Sequence, residues 1–290
     1  MKVWIKKGIA AAVVAASAAL AVGSSGSSSA TVPGLPAFGI TSDGGLMASF
    51  NTNTPGVLNW VSVPTGFVCG ETFLIGIDFR VQDGQLYALG NRGCIYIVTL
   101  PPAPPPPVPV VSLRHVSQLS VPLEGTNFGV DFNPAADRLR IVGDTGQNLR
   151  HDLNTHVTAV DGRLSSGPNT ATVTGISAAA YTNNDLNSSS NTTLFDINTT
   201  TDQVVIQSPA NTGFVIATGS LGVDAGPNAG FDIFADLSGG KTISNTAFAT
   251  LTVPGNSRST LFTVELLTGT ATSVGLFPLN ISDIAVALDS

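Results

Sequence analysis

The sequence predicts an all-β fold, a propeller of five four-stranded blades, and three observations carry that prediction. First, the segment Leu74–Gly90 (LIGIDFRVQDGQLYALG) aligns without a gap on the segment Asn127–Gly143, 53 residues later. Gly76, Asp78, Phe79, Leu86 and Gly90 fall on Gly129, Asp131, Phe132, Leu139 and Gly143. Second, the Gly-x-Asp opening recurs at Gly230-Phe231-Asp232, in weakened form at Gly175-Ile176-Ser177, and again at Ser282-Asp283-Ile284. The marker positions 78, 131, 177, 232 and 283 are spaced by 53, 46, 55 and 51 residues, near the roughly 40–50 residues of a propeller blade. Third, Thr, Val, Ser, Gly and Asn are abundant and no long stretch beyond the N-terminus has helical periodicity, which points to packed sheets alone.

The N-terminus reads as an export signal. Lys2, Lys6 and Lys7 precede the Ala/Val-rich run Gly8–Val22, and Ser/Gly residues follow. The run is short and Ala-rich against the roughly 20 apolar residues of a membrane span, so residues 1–30 are expected to be a cleaved signal peptide and spacer. Cleavage is expected between about Ser24 and Val32, with residues 36–290 forming a single propeller domain. The protein is then secreted, periplasmic or held at the cell surface, with no integral span after cleavage.

Without residues 1–23, nine basic residues face nineteen acidic ones, a net charge of −10, and Lys241 is the last lysine. An acidic, lysine-poor surface repels phosphate backbones and anionic lipid, which argues against nucleic acid as a partner. A monomer is expected, because closing a sheet into a ring leaves few edges to pair with a second copy. The only cysteines, Cys69 and Cys94, lie 25 residues apart. In an exported chain such a pair is expected to form a bridge, worth about 3 kcal/mol by loop-closure entropy.

The strands follow in order. Ala37–Ile40 and Leu46–Phe50 flank the turn Ser42-Asp43-Gly44-Gly45, a hairpin signal, and Val57–Val63 is a third strand. Alternation of Ile75, Ile77 and Phe79 with Gly76, Asp78 and Arg80 marks the next strand, followed by Gln85–Leu89 and Cys94–Leu100. Pro101–Pro109 (PPAPPPPVP) stands where another unit has a short turn. Proline cannot donate to a ladder, so this run is expected to be a surface polyproline II excursion, a spacer or a docking motif. The next unit gives Phe128–Phe132, Arg138–Val142, Leu149–Leu153 and Val157–Val160. Another gives Ser177–Tyr181, Thr193–Ile197, Gln203–Gln207 and Phe214–Thr218. Its first two strands are joined by the polar loop TNNDLNSSSNTT. The last full unit gives Phe231–Phe234, Ala247–Val253, Leu261–Leu266 and Ala271–Val274. Three strands lie before the first marker and one, Ile284–Leu288, after the last unit. Together they make a fifth blade that removes two exposed edges. Six blades or a β-sandwich pair are the alternatives.

The segments DFNPAADRLRIVGDTGQNLR, AAAYTNN, LFDIN and LGVDAGPNAGFDI resemble the secreted bacterial domain of unknown function 4394 family. The resemblance spans about Phe38–Ala287, with Asp144–Arg150 its most specific part. It implies export and a repeated β-architecture, and it implies no activity.

Two groups of residues are candidates for chemistry. Asp78, Asp131, Asp232 and Asp283 are expected on innermost strands, as an axial acidic group. They would either polarise a substrate or hold Ca²⁺, the one cofactor considered, or accept hydrogen bonds where a blade packs on the next. Arg138, Arg140, Asp144, Gln147, Asn148 and Arg150 form the second group. Arg138 and Arg140 share a strand face and with Arg150 would clamp a carboxylate or sulfate, or else pair with aspartates across blades. His151, His156 and His115 show no ligand spacing, and no metal site is assigned. Gly-x-Ser-x-Gly, Gly-x-x-x-x-Gly-Lys, His-Glu-x-x-His and Cys-x-x-Cys are all missing from the sequence. The favoured reading is therefore a non-catalytic exported module that binds a glycan, a protein or another cell-surface ligand. The alternative is a propeller hydrolase or lyase acting at the axial channel with Asp and Arg residues.

Overall fold

A computed structural model describes residues 34–289. The signal peptide and its cleavage site fall outside the described residues. Twenty-one strands build five sheets. The first blade holds β1 (Pro36–Thr41), β2 (Met47–Asn51) and β3 (Leu58–Ser62). The second follows the short β4 (Pro64–Thr65) with β5 (Leu74–Arg80), β6 (Gln85–Gly90), β7 (Cys94–Thr99) and β8 (Val111–Gln118). The third holds β9 (Phe128–Asn133), β10 (Arg138–Gly143), β11 (Asn148–Asp152) and β12 (Val157–Val160). The fourth holds β13 (Ile176–Tyr181), β14 (Leu194–Asn198), β15 (Gln203–Gln207) and β16 (Val215–Ser220). The fifth holds β17 (Ala229–Ser238), β18 (Lys241–Thr252), β19 (Ser259–Val264) and β20 (Ala271–Leu276). The last strand, β21 (Ile281–Val286), pairs antiparallel with β1, Ala37 opposite Val286 and Ile40 opposite Asp283. Three N-terminal strands and one C-terminal strand thus share one sheet, as the strand count required.

The ring is held by apolar contact between neighbouring blades. Five clusters of buried side chains occur, one at each blade boundary. Phe195 and Ile197 meet Phe231 and Ile233 between the fourth and fifth blades. Tyr87 and Leu89 meet Phe132 and Leu139 between the second and third. The glycine of each marker explains how close the inner strands come. A Cβ on Gly76 would lie 2.4 Å from a Val130 methyl, and one on Gly129 would lie 2.4 Å from the Ala179 nitrogen. No side chain fits there, so the repeat keeps glycine where one blade's inner strand abuts the next.

The closing strand spans Ile281–Val286 rather than Ile284–Leu288, and the structure departs from the sequence reading in three further places. No strand was expected between Leu100 and Phe128, yet β8 completes the second blade and β4 pairs with it in parallel, Pro64 opposite Val111. The proline run instead loops out and returns, its Pro109 carbonyl accepting from the Ser62 hydroxyl at 3.0 Å. The β17–β18 hairpin is far longer than Phe231–Phe234 and Ala247–Val253, with its ladder running out to Ser238 opposite Lys241. Ser177, the weakened marker, lies at a bulge between Ile176 and Ala178. Its hydroxyl lies 2.9 Å from that of Thr199.

Candidate functional site

The innermost strands β21, β5, β9, β13 and β17 follow one another around the axis, and four of them carry the marker aspartates inward. Asp78, Asp131, Asp232 and Asp283 are each at most 5% exposed. Each reaches forward to a backbone N–H on the next blade's inner strand. Asp283 accepts from Ile77 at 2.8 Å, Asp78 from Phe132 at 2.6 Å, Asp131 from Tyr181 at 3.0 Å, and Asp232 from Val286 at 2.5 Å. Asp78 and Asp232 also accept from the residue after them, Phe79 at 2.7 Å and Ile233 at 2.6 Å. The carboxylates thus clasp four of the five blade boundaries. The inner strand of the fourth blade, β13 (ISAAAY), carries no aspartate; Ala179, not Ser177, stands at the marker's place two residues before the hairpin end, and among the described residues no such bond runs to the fifth blade.

Asp78, Asp131 and Asp232 bring carboxylate oxygens within 4.8 Å of one another. Burial raises the pKa of all four groups. Repulsion from Asp232 and Asp283 adds to it at Asp78, and repulsion from Asp78, Asp232 and Asp283 adds to it at Asp131. Asp232 is pushed up to about 6 by burial, against the hydrogen bonds from Val286 and Ile233. Crowded buried carboxylates cannot all ionise, so the ring holds protons at mildly acidic pH. The amide hydrogen bonds are what a clasp between strands needs.

The arginine group separates into distinct neighbourhoods. Arg140 is 3% exposed and spends its guanidinium on the Tyr181 hydroxyl at 3.2 Å and on Asn148, Asp161 and Asn211, each at 2.7 Å. Asn148 in turn donates to the carbonyls of Gly162 and Ala210. This polar network joins the third blade to the fourth. Arg150 meets the same Asp161 at 3.0 Å from a half-exposed position, and Arg138 pairs with Asp152 at 3.0 Å. Asp144 is held below the usual carboxylate range: burial opposes this, but the side chains and amides of Asn127 and Thr126 donate to it. Gln147 bridges the Glu124 amide and the Pro122 carbonyl. Arg140→Ala leaves the buried Asp161 with a single exposed cation. It is expected to lower stability by about 3–5 kcal/mol, read as a shift in the urea unfolding midpoint. Arg150→Ala removes only the half-exposed partner and leaves Asp161 paired with Arg140, so it is expected to change it by less than about 1 kcal/mol.

A feature that no local pattern announces lies where the inner strands end. A cavity of about 540 Å³ is floored by Phe79, Val81, Leu237, Ala287 and Leu288, with Asn184, Asp185, Leu186 and Asp289 at its edge. A second, more polar cavity of about 370 Å³ shares Asp185 and Leu186 and adds Gln82, Asn183, Asn187, Ser190 and Asn191. The wall between them is the polar loop 182–193 that joins β13 to β14. Asp185 anchors it, accepting from the Thr242 N–H at 2.9 Å, the Thr242 hydroxyl at 2.6 Å and the Ser190 hydroxyl at 3.0 Å. Asn183 and Asn245 exchange two hydrogen bonds. The extended β17–β18 hairpin is therefore what orders this loop. On the opposite face the axis shows a cavity of only about 50 Å³ beside Ile75, Asn127, Phe128 and Ser282. There a hollow of about 480 Å³ lies off the axis, between Asp144 and Thr199. The four axial aspartates line none of these cavities.

A ring of five sheets, four of four strands and one widened to five by β4, closed by the C-terminal strand and clasped by carboxylates at its centre, is a closed five-bladed β-propeller. The chain belongs to the family described as Domain of unknown function (DUF4394), whose model matches residues 46–285. No curated protein matches it. Among solved structures it is similar to glutaminyl cyclase from Myxococcus xanthus, at 12% identity over 84% of this chain and 94% of that one, with a TM-score of 0.41. It is also similar to TolB from Acinetobacter baumannii, at 10% identity over 88% and 66%, TM-score 0.41, and to AztD from Citrobacter koseri, at 7% identity over 89% and 99%, TM-score 0.35. No helix among the described residues is long and apolar enough to cross a membrane.

Proposed function

We propose that the protein is an exported, non-catalytic binding module that takes its ligand at the axial mouth where the inner strands end. The observation that carries this reading is the cavity of about 540 Å³ floored by Phe79, Leu237 and Leu288. Its size suits a small ligand or one protruding element of a larger one. The apolar floor supplies contact, and Asn184, Asp185 and the neighbouring amides supply orientation. The rim loop is already held by Asp185 and Asn183, so little ordering is lost on binding. Leu186 and Ile243, 62% and 65% exposed, widen the apolar surface beside it. A short glycan or a surface-protein segment with one apolar face fits this chemistry.

The buried carboxylates support a binding role over a catalytic one. They are spent on backbone amides and sit apart from the cavities, whereas a general acid must reach its substrate. Export is supported by the bridged cysteines and by the Lys-rich, Ala-rich N-terminus.

The test is a thermal-shift screen of the mature protein with oligosaccharides and short peptides. A ligand at 100 times its Kd is expected to stabilise the chain by about 2.7 kcal/mol. Ala287→Trp, which fills the cavity, should remove that shift. A ligand that stabilises wild type and Ala287→Trp equally places binding elsewhere and ends this assignment.

A further inference from the structure

Cys69 and Cys94 are bridged, and a third soft-metal ligand stands beside them. One nitrogen of His115 and the two sulfurs all lie within 4.8 Å of one another. Cys69 and His115 are exposed, and Cys94 is fully buried at the start of β7. The three come from separate elements: the segment before β5, β7, and β8. Their placement does not depend on the sulfur–sulfur bond alone. His115 stands opposite Tyr96 in the β7–β8 ladder and packs edge-on against its ring, with centroids 6.0 Å apart. The same Tyr96 hydroxyl exchanges hydrogen bonds with the Val68 backbone, at 3.1 and 3.2 Å, immediately before Cys69. One buried tyrosine therefore braces both the strand that bears the imidazole and the segment that bears the exposed sulfur. Beside Cys94, the Glu71 carboxylate accepts the Cys94 N–H at 2.8 Å, while its other oxygen is buried without a partner.

We propose that Cys69, Cys94 and His115 form a latent Cys₂His site for a thiophilic d¹⁰ cation, Zn²⁺ or Cu⁺, closed while the disulfide is intact and opened when a dithiol reduces it. Two thiolates and an imidazole are the donor set such ions select over Ca²⁺ or Mg²⁺. The step balances. A thiolate of the dithiol attacks the exposed Cys69 sulfur, the Cys69–Cys94 bond breaks, and Cys94 leaves as thiolate. The second thiol of the donor then attacks its own sulfur in the mixed disulfide and releases Cys69. The donor ends as a disulfide, oxidised by two electrons, and the protein gains two electrons and two protons. Binding of the cation displaces those two protons, since the metal takes thiolates. Three protein ligands leave a fourth position to water.

The test uses the mature protein, oxidised or reduced with a phosphine under argon and then freed of reductant. Co²⁺ serves as the probe through its thiolate charge-transfer absorption. One Co²⁺ per chain is expected in the reduced protein and none in the oxidised, with Zn²⁺ displacing it. His115→Ala should weaken binding at least about tenfold, and Cys69→Ser should abolish the absorption. Melting of the reduced chain is followed alongside by circular dichroism, and Zn²⁺ is expected to raise it. A folded, reduced chain without the Co²⁺ band overturns the proposal. So does a band indifferent to His115→Ala, or a reduced chain that stays unfolded with Zn²⁺ present.

Discussion

Removing Ile281–Ser290 abolishes cooperative unfolding. The strand β21 pairs with β1 over Ala37–Thr41, and without it both β1 and the inner face of the fifth blade become open edges. Ile281, Ile284 and Val286 leave the cluster that joins the fifth blade to the first, a loss of roughly 1.5–3 kcal/mol for each buried side chain. Two clasps disappear as well: the Asp283 bond to Ile77 and the Val286 N–H that Asp232 accepts. These terms together match the roughly 5–15 kcal/mol that holds a domain folded. Calorimetry of the truncated chain should show a broad or absent transition and aggregation on heating. A truncated protein that melts like the full chain would rule out closure by this strand.

Asp78→Ala lowers stability by about 2–6 kcal/mol, because it strands the buried amides of Phe79 and Phe132 at about 1–3 kcal/mol each. The same ring sets a pH dependence whose sign can be worked out. Burial, first of all, keeps Asp78, Asp131, Asp232 and Asp283 protonated to higher pH than in the unfolded chain, and repulsion between carboxylates adds to it at Asp78, Asp131 and Asp283. The folded state therefore binds more protons. Its advantage is complete below the unfolded carboxyl pKa near 4 and is lost as pH rises through the folded values, Asp232 at about 6 among them. Asp43, Asp137, Asp144 and Asp185 run the other way. Their pKa values are lowered by hydrogen bonds and, at Asp137, by the Arg80 ion pair, so their contribution fades as pH falls below about 4. The melting temperature should accordingly peak between about pH 4 and 6 and fall towards pH 8. Asp78→Asn keeps one acceptor oxygen and removes the charge, so it should flatten the alkaline arm. A wild-type protein that melts higher at pH 8 than at pH 5 would contradict this account of the ring.

The parts of the fold legible in the sequence are those that depend on local period. Alternation places β5, β9 and β12 within a residue of their observed ends, because the two faces of a strand see different surroundings. The glycine of the repeated marker is legible because a Cβ would run into the Val130 side chain at Gly76 and into the Ala178–Ala179 backbone at Gly129, and no other residue fits. The closing strand and the Cys69–Cys94 bridge follow from counting, of strands in one case and of cysteines in the other. β8 escapes because the prolines before it mask a strand whose alternation is otherwise ordinary. With it goes the position of His115 beside the sulfurs.

What only the tertiary structure decides is which side chains meet across a blade boundary. The markers identify Asp78, Asp131, Asp232 and Asp283 as a set, but their partners, the amides of Phe132, Tyr181, Val286 and Ile77, belong to other blades. Arg138 and Arg140 share a strand face, yet one pairs at the rim with Asp152 while the other is buried against Tyr181 and Asn211. The cavity at the axial mouth draws Phe79, Leu186, Leu237 and Leu288 from four separate blades. Periodicity is a property of neighbours along the chain, and it specifies strands and the faces they bury. Convergence at the axis is a property of ring closure, which brings together residues some two hundred positions apart and leaves no trace in any local window.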